Sequence, residues 1–589
     1  MTLSTIWHRL RLKAAWPILL PALALVLLFP YLPALRSPNE LCRLRQTQAL
    51  VESGRFEITD ALRTHGWVGD LSCVAIRRDE HGDVAERRAC PSVRGDARFG
   101  ERHYYPSKAP LLSVAAVPIY AALRAMRDPV PETLLVFFAR LFCTILPSVL
   151  ILIPLRRFLR ERLRAATSPT SPSPSPSPSP SLSTASISPT TAQQAPSDRL
   201  ADALTAAFAL GTLAFSYAAL FMSHALTGVL GLATFLALCR ATRSDAPDRW
   251  HLCAGLFAGL TVASEYTGAL ALVPLALYAL ATAPKGPWPK LRTCLFGILG
   301  VLPSALLLAL YHWKAFGHPL TTGYLFLNDA AYQGWHVGGF LGVRLPDARA
   351  FALSFFSPLR GLFTLSPFLL LALPGLALGL ATKARRAALG PELWLSLALL
   401  LAYAYFTSSF TYDSWGWTTG PRHLTPLVPF LLLPIGVTLW TWRERPWLTG
   451  ICVGLVALSM LSTGVMTLLN YIPDSLTNAL HQVAWPLLFE GYLPHSPLSL
   501  LGVPNPWAAL PGLLAICLAL GLTAWSLLPS APKARARSLN VALVVLLALT
   551  IVQATIRPSQ PRAFERDEKT LRFLKERYAP RPFAASVIE

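Results

Sequence analysis

A short polar segment near the start of the chain combines a carboxylate with two guanidiniums. Residues 37–40 read Ser-Pro-Asn-Glu, and Glu40 is followed by Arg43 and Arg45. A carboxylate can act as a base, and a planar guanidinium binds two phosphate oxygens at once, so the set would suit a phosphate-bearing substrate. The residues also fit a structural role, because Ser37 and Glu40 have the spacing of a capping box at the start of a helix lying on a membrane. Both interpretations stay open at this point.

Three further polar segments lie between apolar runs and carry basic and aromatic residues. They are 103–110, with Tyr105 and Lys108; 316–324; and 412–423, with Trp417, Arg422 and His423. A guanidinium or ammonium suits a phosphate, but a lysine there could also snorkel at a lipid interface. Likewise, tryptophan could line a sugar site or belong to the aromatic belt of a membrane protein.

His224 and Glu265 are single polar residues at the ends of apolar runs. A carboxylate in such surroundings is a functional candidate by default, although an interfacial carboxylate can simply be solvated. The two side chains could hold a divalent ion, yet most metal sites need three or more protein ligands. No Cys-x-x-Cys or His-Glu-x-x-His pattern occurs. The sequence therefore predicts no metal site and no certain cofactor, with a divalent ion left open.

The elements that must position these residues are membrane helices. Of 589 residues, 53% are hydrophobic and 14% are charged, whereas about 25% of residues are charged in soluble proteins. The formal net charge of +21 could suggest a nucleic-acid partner. The basic residues lie mostly in short loops between apolar runs, however, which is typical of a membrane protein and disfavours nucleic acid. We therefore predict an all-α polytopic membrane protein.

About thirteen apolar runs are long enough to cross a bilayer. They are 15–35, 138–155, 201–222, 226–240, 251–265, 268–284, 293–311, 363–382, 391–408, 424–442, 447–468, 508–528 and 538–556. The basic loops alternate as the positive-inside rule requires if residues 1–14 are cytoplasmic and the weaker run 109–126 is re-entrant or interfacial. This topology predicts a multi-pass cell (inner) membrane protein with the polar segments and the tail 557–589 on the outer side.

The remaining pieces lie outside or between the spans. Residues 36–137 form a predicted outer loop with juxtamembrane and re-entrant helices, ahead of a bundle over 138–556. The Ser-Pro-rich stretch 168–197 is predicted to be a disordered cytoplasmic linker, because it cannot bury enough apolar surface to fold. Cys73 and Cys90 lie in the outer loop, an oxidising compartment on this topology, so we expect a disulfide between them.

The pattern resembles the glycosyltransferase C superfamily over roughly residues 15–440, specifically the family 39 type that includes protein O-mannosyltransferases and aminoarabinose lipid A transferases. In that family the first outer loop begins with Asp-Glu, and the Asp is taken as the catalytic base. The matching pair here is Asn39-Glu40, so the resemblance implies Glu40 as the base. Tyr105 to Pro110 is similar to an aromatic-x-Lys-Pro segment whose lysine meets the carrier phosphate. The resemblance implies the same contact for Lys108 and for Arg422.

The resemblance implies a fold of the glycosyltransferase C type and transfer of a sugar from a polyprenyl-phosphate donor to a lipid, glycan or protein acceptor on the outer face. Glu40 would deprotonate the acceptor, while Lys108 and Arg422, with Arg43 or Arg45, would stabilise the departing phosphate. Three alternatives stay open: a lipid-linked polysaccharide ligase or polymerase, a transporter, and a non-catalytic relative that binds carrier lipid. Asn39 is the best support for the last of these.

Overall fold

The computed structural model describes residues 12–28, 37–167, 189–340, 342–410, 416–469, 472–473, 475–491, 496–504, 507–558 and 560–578. Helices dominate these residues, and each predicted membrane run contains helical segments. Within the described ranges, eight helices are long and apolar enough to cross a membrane: Glu132–Ala166, Ser223–Ala241, Pro287–Phe316, Lys383–Ser409, Arg422–Trp442, Pro446–Leu469, Leu510–Leu527 and Pro532–Thr555. The predicted polytopic helical class is confirmed.

Further helices complete the bundle. Apolar ones are Ala15–Leu27, Leu111–Met126, Tyr266–Thr282 and Pro367–Ala381. The others in the bundle are Pro189–Leu210, Leu213–Ala218, Pro247–Ser264, Ala348–Phe356 and Leu362–Leu365. Residues Leu111–Met126 are divided into two short helices at Ala116. A re-entrant or interfacial position for this segment therefore stays a prediction.

Glycines bring two membrane helices into backbone contact. A methyl group on Gly255 would lie 2.0 Å from the carbonyl oxygen of Gly297, and one on Gly300 would lie 2.1 Å from that of Leu252. Small residues at such crossings let helix backbones approach closely, which is how membrane helices gain packing energy without a hydrophobic driving force. The contact fixes helix Pro247–Ser264 against Pro287–Phe316, and with it the position of Glu265, which follows the first helix directly.

The loop domain, residues 37–110, contains a small sheet that the sequence analysis did not predict. It has two helices, Pro38–Glu52 and Thr59–His65, and three strands, β1 (Leu71–Arg78), β2 (Val84–Ala89) and β3 (Glu101–Pro106). The strand order is β2-β1-β3 and both pairings are antiparallel. A Cys73–Cys90 disulfide with a Cα–Cα distance of 5.5 Å links β1 to the turn after β2.

A second loop, residues 317–340, lies against the loop domain. Ser72 Oγ donates to the carbonyl of Gly323 at 2.7 Å, and the N–H of Asn328 donates to the carbonyl of Leu71 at 2.9 Å. These bonds hold the second loop, including Tyr324 and the helix Ala330–Val337, beside the first residues of β1. The two loops therefore meet at one end of the helical bundle.

The predicted termini and linker are described only in part. Residues 1–11, 29–36, 168–188 and 579–589 lie outside the described residues, so most of the predicted linker and both chain ends do too. Helix Pro189–Leu210 begins inside the predicted linker 168–197, and helix Pro561–Tyr578 occupies most of the predicted tail.

Candidate active site

Glu40 lies in a buried ion pair in the first turn of a helix. Ser37 is the N-cap residue of helix Pro38–Glu52, as expected, but its side chain makes no cap hydrogen bond, so the reciprocal bonds of a capping box are not formed. Glu40 accepts from Arg140 Nε at 2.9 Å and from Arg140 Nη2 at 3.0 Å. The N–H of Phe221 donates to its Oε1 at 2.6 Å. Both carboxylate oxygens are therefore occupied in a buried setting, which is the geometry of a structural contact, and the role of Glu40 as the base stays a prediction.

Arg140 owes its position to an irregular helix. Helix Glu132–Arg140 runs into a π-helical turn, Leu141–Ile145, before the span continues. Such a turn inserts an extra residue and changes the direction in which nearby side chains leave the helix. The Arg140 side chain is buried against the juxtamembrane helix, Pro38–Glu52. The pair with Glu40 thus fastens the loop domain to the bundle.

Arg43 projects from the same juxtamembrane helix into the bundle. It is fully buried, donates to Ser223 Oγ at 2.8 Å and to the Asn39 carbonyl at 2.8 Å, and also contacts the Asn39 side-chain oxygen. Its Nη2 lies 3.6 Å from Glu265 Oε2. Ser223 Oγ in turn donates to Glu265 Oε2 at 2.6 Å. The structure therefore joins Arg43 and Glu265, predicted from distant parts of the sequence, in one polar cluster.

Lys108 lies on the connection between β3 and helix Leu111–Ala115. Its Nζ is 3.6 Å from Asp70 Oδ1 and 5.2 Å from the centre of the Tyr324 ring. Burial acts to lower the pKa of Lys108, but the neighbouring Asp70 carboxylate raises it overall. Lys108 is therefore a buried ammonium that keeps its charge, which is the property a phosphate contact needs.

Asp70 is a site residue that the sequence analysis missed. Burial acts to raise its pKa, but the charges of Lys108, Arg422 and Arg43, in that order of size, lower it overall. The sequence offers only a Gly-Asp pair ahead of a strand, which gives no functional signal. The proximity to Lys108 arises from strand pairing, since Leu71 is opposite Pro106 in the sheet.

Arg422 and two histidines complete the cluster on the bundle side. Arg422 begins a 3₁₀ segment, Arg422–Leu431, and its guanidinium passes beside Gly416, where a methyl group would lie 2.9 Å from Nη1. The rings of His224 and His423 meet edge to face at 5.1 Å. Neither nitrogen of the buried His224 ring has a hydrogen-bond partner among the described residues. His224 therefore has unused donor and acceptor capacity next to the basic cluster.

Tyr324 and His336 bring the second loop over the cluster. Their rings stack with centres 4.3 Å apart. Burial and the nearby Lys108 charge lower the pKa of His336 to about 4. The ring is consequently neutral at pH 7 and adds no charge to the site. A stacked aromatic pair beside a cation offers an apolar face and a neutral polar edge, both suited to a sugar ring.

Three predicted site residues lie apart from this cluster. Arg45 pairs with Glu132 at 2.8 Å, so it links the juxtamembrane helix to the first turn of helix Glu132–Arg140. Tyr105 packs edge to face on Phe316 at 5.5 Å. Trp417 is exposed, and residues 411–415 before it are outside the described residues. The binding roles of these three residues, like those of the clustered residues, stay predictions.

The charges of the cluster favour an anion. Three cations, Arg43, Lys108 and Arg422, surround two carboxylates, Asp70 and Glu265. One positive charge is in excess in a buried setting, where electrostatic attraction is stronger than in water. Over the described part of the chain, no group of three or more His, Cys, Asp or Glu side chains is arranged to hold a metal ion. The excess of positive charge would favour an anionic ligand.

Comparison with known proteins gives a likeness in structure. No protein-family model matches the chain, and no curated protein matches it in sequence. Two crystal structures of ArnT from Cupriavidus metallidurans are similar, one in the apo state and one bound to undecaprenyl phosphate. Each is 16% identical to this chain, with a TM-score of 0.42. The similarity covers 93% of this chain and 78% and 79% of the two ArnT chains, respectively.

Proposed function

We propose that the protein is a membrane glycosyltransferase that takes a sugar from a polyprenyl-phosphate donor. The acceptor is an alcohol on a lipid, glycan or protein that reaches the site from water on the outer side of the cell membrane. The observation that carries this proposal is the convergence of Arg43, Lys108 and Arg422 at the end of a helical bundle. A buried cationic cluster at the edge of a membrane suits a phosphate that is itself held in the membrane.

A small apolar cavity lies beside the cluster. Its volume is about 30 Å³, which is room for one or two water molecules, and its walls come from several membrane helices, including Leu25, Ile151, Phe208, Ala225 and Pro429. Ala225 follows His224 directly, and Pro429 is on the 3₁₀ segment that begins with Arg422. These apolar walls suit an isoprenoid chain, which would have to move the lining helices apart to enter while its phosphate contacts the cations.

The residues divide into two groups under this proposal. Lys108, Arg422 and Arg43 hold the carrier phosphate and stabilise the negative charge that grows on it as the sugar leaves. His224 and the stacked Tyr324 contact the sugar. The acceptor oxygen attacks the anomeric carbon, the bond from that carbon to the phosphate oxygen breaks, and polyprenyl phosphate departs. No step requires a nucleotide.

The test is release of polyprenyl phosphate from a labelled polyprenyl-phosphate hexose by the full chain in nanodiscs, with a membrane extract as source of acceptor. Lys108→Met should abolish release, since the ammonium cannot be replaced by a neutral side chain of similar length. Arg102→Met, at an exposed position of β3, is the matched control and should leave release unchanged.

The pattern of results separates the alternatives. Binding of the carrier lipid with no release from any donor sugar would favour a non-catalytic lipid-binding protein. The absence of both binding and release would refute the proposal and favour the ligase or transporter hypotheses. An equal loss of polyprenyl phosphate release in Lys108→Met and Arg102→Met would show that both substitutions disturb the loop domain. The loss could then not be assigned to the cationic cluster.

A further inference from the structure

Asp70 lies beside Lys108, the residue that would contact the donor phosphate under the proposed function. Its carboxylate is the partner of Lys108 at 3.6 Å, with side-chain exposures of 26% for Asp70 and 7% for Lys108. This distance exceeds an ordinary charged hydrogen bond of about 2.8 Å. The ion pair is therefore loose and open to water on the Asp70 side, which makes it easy to exchange for another anion.

The backbone holds Asp70 in place at a conformational cost. Asp70 has a φ of 59°, and it is the only residue other than glycine with a positive φ in the described ranges. Such a conformation costs of order 1 kcal/mol for a residue with a side chain, so it persists only where the surroundings fix it. Here the N–H of Ser107 donates to the Asp70 carbonyl at 3.1 Å. The carboxylate is consequently fixed beside the Ser107–Lys108 segment.

Asp70 differs from the other carboxylates near the cluster in its access to water. Glu40 is closed off by Arg140 and the Phe221 N–H. The Glu265 side chain is 3% exposed and receives the Ser223 hydroxyl. An acceptor that arrives from water can reach Asp70 most directly. The base that sequence reasoning assigned to Glu40 is better placed at Asp70.

We propose that the donor phosphate displaces Asp70 from Lys108, and that the released carboxylate then takes the proton of the acceptor hydroxyl. This inference rests on the proposed function. The donor phosphate is a diester with one negative charge, as a carboxylate has, but it gains Arg422 and Arg43 as further partners, so it displaces the carboxylate. The base then becomes available only when the donor is bound.

The electrostatics of the exchange favour proton transfer from the acceptor hydroxyl to Asp70. In the empty site the Lys108, Arg422 and Arg43 charges keep the pKa of Asp70 below its usual value, which makes it a weak base. A bound phosphate neutralises those cations and adds a negative neighbour, and both changes raise a carboxyl pKa. The acceptor proton moves to Asp70, the acceptor oxygen bonds to the anomeric carbon, and the electron pair of the broken bond leaves with polyprenyl phosphate.

The experiment compares carrier binding with donor turnover in nanodiscs. Polyprenyl phosphate without sugar is the binding probe, and a labelled polyprenyl-phosphate hexose is the turnover substrate. Asp70→Asn removes the charge and keeps the shape. Asp70→Gly removes the side chain and relieves the positive φ, so it is expected to fold even if Asn is not tolerated. Asp83→Asn, an exposed aspartate of the β1–β2 turn, is the control.

Both Asp70 variants should bind polyprenyl phosphate roughly three- to tenfold more tightly than wild type, because removing an ion pair of about 1 kcal/mol leaves Lys108 free. They should also lose donor turnover by about 100-fold or more, as expected for removal of a general base. The control should match wild type in both measurements. Tighter binding together with lost turnover is the outcome that the displacement predicts.

Two outcomes would overturn the inference. Unchanged or weaker binding in both variants would show that Asp70 does not compete with the phosphate. Turnover near the wild-type rate would show that it is not the base. In either case wild type still binds and releases the donor, so the proposed function survives. If wild type neither binds nor releases, the proposed function itself fails, and this inference fails with it.

Discussion

Replacing Glu40 by glutamine tests whether this residue is a structural contact or a base. Glu40 and Arg140 are both at most 2% exposed, and the two are joined by two hydrogen bonds of 2.9 and 3.0 Å. Glutamine keeps the size and shape of the side chain but leaves the Arg140 charge buried without compensation. Breaking a buried pair in this way costs about 3–5 kcal/mol.

The assay is thermal unfolding of the full chain in nanodiscs, measured beside donor release. Glu40→Gln should lower the melting temperature by roughly 5–10 °C, as estimated from the scaling for soluble domains. The double variant Glu40→Gln/Arg140→Gln removes both charges and should recover most of the lost stability and part of the donor release. Glu132→Gln removes the partner of Arg45, a pair in which Glu132 is 35% exposed, and is the control. It should change the unfolding free energy by about 1 kcal/mol or less.

The result that would refute this reasoning is a Glu40→Gln protein with the melting temperature of wild type and no donor release. This result is expected if Glu40 is a catalytic base that contributes nothing to folding stability, and the double variant would then stay inactive. Recovery of release in the double variant would instead exclude Glu40 as an essential base.

Two further predictions concern the loop domain. His103 Nδ1 lies 2.8 Å from Glu57. The hydrogen bond to Glu57 raises the pKa of His103, although burial acts to lower it. Burial acts to raise the pKa of Glu57, but the hydrogen bond from His103 lowers it overall. The stabilisation by His103 is complete below about pH 6.5 and is lost as pH rises through its raised pKa, and that by Glu57 is lost as pH falls below about 4.5. His103→Gln should therefore lower stability by about 1 kcal/mol near pH 5.5 and by nothing near pH 9 in melting curves; a constant difference across that range would contradict the pairing. The Cys73–Cys90 disulfide closes a separation of 17 residues, so Cys73→Ala/Cys90→Ala should destabilise the loop domain by about 3 kcal/mol and speed its limited proteolysis. Proteolysis at the wild-type rate in both oxidised and reduced samples would argue against the bond.

The helical bundle and most of the basic cluster could be predicted from the sequence. The reason is that hydropathy sets which residues cross the membrane, and alternation then places every second loop on the same side. Lys108, Arg422, Arg43, His224 and Glu265 could thus be assigned to one side before any contact was known. The structure adds that they meet.

The sheet of the loop domain could not be predicted in the same way. The first six residues of β1, Leu71 to Ile76, are all buried. A strand covered on both faces shows no alternation of polar and apolar residues, which is the usual strand signal. The placement of Asp70 beside Lys108 depends on the pairing of β1 with β3. It could not be predicted either, because β1 itself shows no strand signal.

The partner of Glu40 could not be predicted, because it lies far away along the chain. Arg140 is 100 residues away, and it directly precedes a π-helical turn, Leu141–Ile145, that no sequence signal marks. Local spacing instead suggested a capping box with Ser37, a competing structural role for the same carboxylate. Contacts between remote segments decide which of several local roles a charged residue takes.

The charges around Asn39 and Asp70 are best understood together. The resembled family has an aspartate where this chain has Asn39, and the Asn39 side chain here accepts from Arg43. A carboxylate at that position would neutralise Arg43 and reduce the net positive charge available to a phosphate. With a neutral amide on the helix, the Arg43 charge is not paired at Asn39, while Asp70 supplies a carboxylate from the residue that precedes β1. The chain thus has one accessible acid beside three cations, and under the proposal made above a bound phosphate would displace that acid from Lys108.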